Sequence, residues 1–429
     1  MSKEEKGNYQ MADIISGKSR FNGNKNAQLN KKVVILPGKE QPDDDLNDEQ
    51  IKYRIKKHRQ KQAIIAGIVC VALIIVFFVA RWFLDRVTYS SYTISSSANR
   101  DDSESADYIN YGDGYIRYSN DGAAYFNTKG KAIWNQTFSM QNVQVKICGD
   151  SVAVGDINGS KIYLFNESGM QGSVDTSLSI AQIEVAQQGV VAAVLEDNTS
   201  NYINLYNTDG EKIYSVKTTL AGDGYPLDIS ISKDATKLMA SYLYVNGESI
   251  KTNVVFYNFS DVGQNETERV VGGFNHYDST IVGDVQFLTG DKAVAVGENV
   301  VSIYKIKEYP TLSKEINIDE EIERVFFSDS YIGLVLKNSD SGDLYRLVVY
   351  DLSGSEVCET TFNSQYDSIK FDGKSIIMNN ATTLTLLNLK GKTLTNQTFD
   401  LPLESVLPTG SRGSYILVNS RYIQSIRMK

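Results

Sequence analysis

One short pattern recurs along the larger, C-terminal part of the chain and limits what it can fold into. Two apolar residues are followed by Asn or Asp, two further residues, Gly, and a second strand-like run. It stands as YFNTKGKAIW at 125–134, LFNESGMQGSV at 164–174, LYNTDGEKIY at 205–214, VYDLSGSEVC at 349–358 and LLNLKGKTLT at 386–395. Degenerate copies, FYNFSDVG at 256–263 and IYKIKEYP at 303–310, fill the gaps, so that spacings run from 37 to 51 residues. Each copy reads as a tight hairpin in which Asn or Asp bonds the turn and Gly takes the positive φ.

Two more short alternating strands precede each hairpin, as at Ser368–Asp372 and 376–380. Four short antiparallel strands in about 40–45 residues make a propeller blade. A β-helix has a shorter period, and an immunoglobulin-like repeat needs about 100 residues. Seven units begin near Tyr108, Val143, Ile180, Leu227, Val282, Ile322 and Ser368. The C-terminus then supplies three strands, 405–408, 415–419 and Tyr422–Met428, without a fourth. Thr88–Ser95, rich in Tyr and Thr, is the expected fourth strand, which closes the ring and removes exposed edges. The expected fold is therefore all-β, an eight-bladed β-propeller over residues 88–429. Seven blades, with 88–107 as a linker, is the second choice.

The blade-one hairpin, from Asn127 to Trp134, resembles the quinoprotein-like propeller repeat, in which a turn Gly is followed by a docking Trp. The blades resemble WD40-like ones more loosely. In other copies Val174, Tyr214, Cys358 or Thr395 replaces the Trp. Quinoprotein-like propellers commonly have eight blades, which agrees with the count. No adjacent cysteine pair or calcium-binding acid set accompanies the repeat, so quinone chemistry does not carry over. The layout as a whole is similar to single-span, membrane-anchored propeller proteins of Gram-positive bacteria.

The span in question is Ala63–Ala80, AIIAGIVCVALIIVFFVA, which contains no charged residue. With 81–84 it reaches the roughly 20 residues that cross a bilayer core. Lys52, Arg54, Lys56, Lys57, Arg59 and Lys61 crowd its N-terminal side, against Arg81 and Arg86 on the other. The positive-inside rule then keeps the N-terminus in the cytoplasm and sends the repeats outside. Residues 1–50 read as a disordered tail and 51–62 as a basic juxtamembrane segment touching anionic lipid. Within the tail, Val33–Leu36 could add as a strand to a cytoplasmic partner. Charge is split, +6 over residues 1–87 and -15 over the remainder. That acidic remainder argues against nucleic acid as a partner.

Chemistry is sparse. His58 and His276 are the two histidines, and no Gly-x-Ser-x-Gly elbow exists, so His276 reads as an ordinary loop histidine in preference to the base of a nucleophilic triad. Asp156–Ser160 and Asn338–Asp343 look like calcium-loop fragments but lack the closing Glu. Cys148 and Cys358 fall in blades two and six, too far apart to bridge. No catalytic, cofactor or metal residues are assigned. The expected role is a non-enzymatic protein-interaction scaffold of the cell envelope, with envelope proteins as partners. The alternatives are a glycan- or peptide-binding sensor signalling through the tail, and a carboxylate-dependent envelope hydrolase. Aromatics around one groove favour the sensor, and two acids converging in the central channel favour the hydrolase.

The binding surface is expected on blade four, the longest unit, whose surplus is assigned to connections on one face: 221–226, 244–252 and 272–280. These segments offer Tyr225, Tyr244, Asn246, Phe274, His276 and Tyr277 as binding residues.

Overall fold

In the computed structural model, residues 48–84, 87–101, 105–247, 249–277, 280–338 and 342–429 are described. Residues 1–47, and with them the Val33–Leu36 segment and nearly all of the expected disordered tail, lie outside these. A helix, Asp48–Leu84, runs unbroken for 37 residues, about 55 Å at 1.5 Å per residue. It joins the apolar run to about four turns of basic helix without a break. The helix is long and apolar enough to cross a membrane.

The strands form eight four-stranded antiparallel sheets, the blades of a propeller. Blades 1 to 7 span 107–137, 143–175, 179–219, 225–277, 282–317, 322–362 and 368–398. Each runs in order from an inner to an outer strand. In the second strands, such as Val191–Glu196 and Lys292–Gly297, nearly every residue is buried, not alternate ones. Neighbouring blades cover both faces, so Ala, Val and Leu occupy successive positions. Each fully buried Val or Leu adds about 1.5–3 kcal/mol.

The hairpin signature has a physical basis that repeats. Asn127 Oδ1 accepts the N–H groups of Lys129 (3.0 Å) and Lys131 (3.1 Å). The Gly130 N–H donates to the Asn127 carbonyl at 2.9 Å, with Gly130 at φ +74°. The same pair of side-chain bonds recurs at Asn207, Asp351 and Asn388. Each of these hairpins carries a bulge one pair before the turn, which takes up the extra residue. Trp134 then docks on the next blade. Its indole N–H donates to the Asn166 carbonyl at 3.0 Å, and its ring stacks on Phe165 at 4.8 Å.

The ring closes as expected in kind but not in register. Blade 8 holds Leu403–Pro408, Ser414–Asn419 and Tyr422–Met428, and its outer strand is Tyr92–Asn99, not Thr88–Ser95. Tyr92 pairs with Met428 and Asn99 with Tyr422. Just before the strand, Ser91 exchanges backbone bonds with Lys429 at the end of blade 8, whereas the Tyr89 N–H donates to the Leu394 carbonyl of blade 7 at 2.8 Å. The Tyr89 and Tyr92 rings pack on the core between blades 7 and 8, and Tyr92 lies 5.4 Å from Phe399. The alternating Tyr residues therefore mark the anchor, whereas the polar run to Asn99 pairs through its backbone.

Inner strands are sheet edges, and side chains from the preceding blade cap them. Asp228 Oδ2 accepts the Val285 N–H at 2.8 Å, Ser230 Oγ accepts that of Phe287 at 2.8 Å, and Gln144 Oε1 accepts that of Ile183 at 3.3 Å. An edge N–H that would otherwise be unsatisfied thus becomes a tie between blades. Cys148 and Cys358 lie in blades 2 and 6 as free thiols.

Candidate functional site

Blade 4 departs from the repeat at both ends. Its second and third strands, Lys237–Asn246 and Ser249–Asn258, have ten residues each, where the other blades have five to seven. Its surplus is therefore partly strand. A helical turn, Asp261–Gln264, and a 3-10 turn, Thr267–Arg269, fill the outer hairpin at the opposite end. The segments 244–252 and 272–280, expected as connections, are mostly strand: the first is the tip of the long hairpin, and Val270–Tyr277 is the outer strand.

Register places the expected residues. Tyr225 pairs with Leu243, Leu243 with Thr252, and Thr252 with Tyr277, one transverse row across the blade. Beyond that row, strand pairing among the described residues continues within the hairpin through Tyr244–Lys251, Val245–Ile250 and Asn246–Ser249. Asn246 is thus at the tip. Tyr225 is 37% exposed, and its hydroxyl donates to Glu196 of blade 3. Burial, then the Glu196 carboxylate, pushes its phenol up to about 12. Tyr244 is half-buried.

The other three residues divide differently. Tyr277 is buried, and its hydroxyl is bonded to that of Tyr304. Phe274 is half-buried, 4.6 Å from the Tyr304 ring and 6.0 Å from Phe256. Both rings belong to the core between blades 4 and 5. Bulges in the pairing of the outer strand break its two-residue period and turn these rings inward. His276 is exposed, stacks on Tyr277 at 4.2 Å, and its Nε2 lies 2.9 Å from Glu315 Oε2 of blade 5.

The same end of the blade carries apolar side chains that the sequence did not single out. Val245 and Ile250, directly paired across the hairpin, are 73% and 53% exposed. Leu220 and Ile281, in the connections before and after the blade, are exposed as well. The missed signal was Val-Asn-Gly-Glu-Ser-Ile: Gly247 has φ +65° at the first central position of a two-residue turn, a hairpin turn flanked by apolar residues.

A second cluster was also not legible. The inner strands of blades 2 to 5 bring Lys146, Glu184, Asp228 and Asp284 together around the central channel, with Lys146 and Glu184 ion-paired. Burial pushes the Asp228 carboxyl up to about 7; the Val285 N–H opposes this, and Asp284 and Glu184 add to it. Burial also raises Asp284, against the pull of Lys146. Acids do converge, but Asp228 is committed to an edge N–H and Glu184 to a lysine. Among the described residues no group of three His, Cys, Asp or Glu is placed to hold a metal ion.

Residues 85–428 match a family of unknown function (DUF5711). No curated protein matches the chain in sequence. Solved structures similar in fold include BamB from Moraxella catarrhalis, at 11% identity and TM-score 0.48, covering 79% of this chain and 100% of that one. Chaetomium thermophilum Sqt1, bound to the N-terminus of a ribosomal protein, is 9% identical at TM-score 0.49, covering 79% and 99%. The Neurospora crassa Pan2 WD40 domain is 12% identical at TM-score 0.39, covering 78% and 95%.

Proposed function

The chain belongs to this family of unknown function, which assigns it no activity, and we propose that it is a membrane-anchored, non-enzymatic protein-interaction scaffold of a bacterial cell envelope. In this reading the helix spans the bilayer once with the N-terminus in the cytoplasm, and the propeller is presented outside. The uncharged run Ala63–Ala80 and the cations on its N-terminal side support that topology. Partner binding is assigned to the projecting end of blade 4. One observation carries this: a hairpin found on that blade alone among the described residues lifts an exposed Val245–Ile250 pair beyond the Tyr225 row. Exposed apolar side chains on a projecting element gain burial only when something docks on them.

The test is crosslinking on intact cells followed by recovery of the propeller. Charging the hairpin with Val245→Glu and Ile250→Glu is expected to remove captured proteins without altering thermal stability. Ile213→Glu, on the exposed outer strand of blade 3, is the control and should leave capture intact. Equal capture by all three proteins removes blade 4 from consideration.

The channel acids favour a second reading, a carboxylate-dependent hydrolase, because Asp228 is poised near neutrality beside Asp284. It is the weaker one, since the Val285 tie gives Asp228 a structural use. If Asp228→Asn lowers turnover of any envelope glycan while the fold is kept, this reading displaces the first.

A further inference from the structure

Charge is not spread evenly around the ring. The turns from first to second strand and from third to fourth lie at the end of the strands away from the blade 4 hairpin. In blades 7, 8 and 1 these turns carry six cations, Lys374, Lys390, Lys392, Arg412, Lys129 and Lys131, against one acid, Asp113. The same turns of blades 2 to 6 carry three cations and eleven acids. Lys390 and Arg412 have interactions within the protein. Lys129, Lys131, Lys374 and Lys392 are exposed, and their ammonium groups enter no ion pair or hydrogen bond among the described residues. Asp372, at the strand end beside Lys374, is half-buried and accepts the Tyr415 hydroxyl at 3.1 Å, and burial raises its carboxyl.

These turns belong to one surface. Lys374 and Leu394 of blade 7 line a single cavity with Arg412 of blade 8. A Cβ on Gly410 would lie 3.7 Å from Asp113 Oδ1 of blade 1, and one on Gly130, between Lys129 and Lys131, 3.6 Å from the Ala98 Cβ of blade 8. The chain enters the propeller within this surface. The Tyr89 N–H donates to the Leu394 carbonyl, two residues after Lys392, and a Cβ on Gly413, one residue after Arg412, would lie 3.2 Å from the Tyr89 hydroxyl. From Leu84, the last residue of the helix, to Tyr89 the chain spans at most about 18 Å.

We propose that the turns of blades 7, 8 and 1 dock the propeller on an anionic lipid surface, that of the bilayer its own helix spans. Docking of this kind presupposes the membrane-anchored reading and orients the propeller on the bilayer. The blade 4 hairpin, at the other end of the strands, then points away from the lipid. Exposed lysines on short turns bring their ammonium groups to lipid phosphates without any change of fold, and each one near an anionic surface strengthens attachment roughly fivefold. The acidic turns of blades 2 to 6 are repelled by the same surface, which confines contact to the side where the chain enters. A zwitterionic bilayer offers no such gain, although the helix would hold the chain to either.

Amine-reactive footprinting of the full chain in nanodiscs tests it, comparing discs of phosphatidylcholine with discs that hold about 30% phosphatidylglycerol. Lys129, Lys131, Lys374 and Lys392 should react roughly threefold more slowly in the anionic discs. Raising NaCl to about 1 M, where the Debye length is about 3 Å, should abolish the difference. Lys307, exposed at the same end in blade 5, is the reference and should react equally in both lipids. Lys129→Gln, Lys131→Gln and Lys392→Gln, combined at exposed turn positions where folding is insensitive, should abolish the protection of Lys374. Coelution of the chain with the discs at about 1 M NaCl reads the anchor separately, because only apolar insertion survives that salt. A chain that coelutes but whose four lysines react equally in both lipids, or stay protected whatever the salt, overturns the docking and leaves the anchor standing. Retained protection of Lys374 in the folded triple variant does the same. A chain that leaves the discs in high salt overturns the anchor and the docking with it.

Discussion

Blades 1 and 4 do the same structural job with different amounts of chain. Blade 1 closes in 107–137 with tight turns and a docking Trp134. Blade 4 takes 225–277, and its outer hairpin is replaced by Asp261–Gln264 and Thr267–Arg269. Yet both fit the ring, because what each blade must supply is a buried second strand and contacts on its two faces. In blade 4 these are Met239 and Phe256 on one side and Leu238 and Tyr242 on the other. The ends of the strands carry no such obligation. Regular blades hold the ring, and the irregular one is free to vary where it projects.

The sharpest way to break this contrast is to remove the dock of the regular blade. Trp134→Ala forfeits the stack on Phe165 and the bond to the Asn166 carbonyl. Urea unfolding should show a loss of about 3 kcal/mol. A loss under about 1 kcal/mol would mean that the ring does not depend on docking between blades.

The inter-blade tie at Asp228 comes next. Its folded pKa is raised to about 7 from 3.8. The stability linked to its protonation is thus fully present below pH 3.8 and is lost as pH rises through 7. Asp228→Asn keeps an acceptor for the Val285 N–H and carries no charge. The variant should be more stable than the parent by on the order of 2 kcal/mol at pH 8, a discounted value for a group bordering the channel. The two should converge towards pH 4. Thermal melts of both proteins across that range check it, and parallel curves refute it.

Tyr277→Phe tests the blade 4–5 boundary. It leaves the buried Tyr304 hydroxyl without its partner and should cost about 1–2 kcal/mol in the same unfolding assay. An effect near zero would mean that the Tyr304 hydroxyl does not depend on the Tyr277 hydroxyl for its hydrogen bond.

Blade number and seven blade starts were legible because Asn127, Asn207, Asp351 and Asn388 sit in turns whose chemistry is local. The closing strand was displaced by four residues because its pairing with Tyr422–Met428 is set by partners over 300 residues away. Phe274 and Tyr277 looked like loop aromatics since bulges against the neighbouring strand hide their inward alternation. The channel acids were illegible for a related reason. Asp228 and Asp284 each follow a bulge in the inner-strand pairing, at Pro226/Asp228 and Val282/Asp284, which no local pattern announces. The long hairpin read as a loop because, beyond the Tyr225 row, no other strand pairs with it among the described residues and its residues need not alternate.

That last point yields the smallest expected change in stability. Among the described residues the strand pairing of the tip lies within the hairpin, and Val245 and Ile250 are exposed. Excising 245–250 and joining Tyr244 to Lys251 through Asn-Gly keeps the Leu243–Thr252 pair and supplies a turn whose twist matches the strands. Nothing in the core between blades 4 and 5 is touched, since Tyr277 pairs with Thr252 below the cut. The shortened protein should therefore unfold within about 0.5 kcal/mol of the parent, while partner capture in the crosslinking assay falls to the level of the doubly charged variant. A loss of several kcal/mol would show that the hairpin is packed, and blade 4 would then differ from blade 1 in length alone. Retained capture at unchanged stability would leave the projection intact as a structural fact but move the partner to another part of the ring.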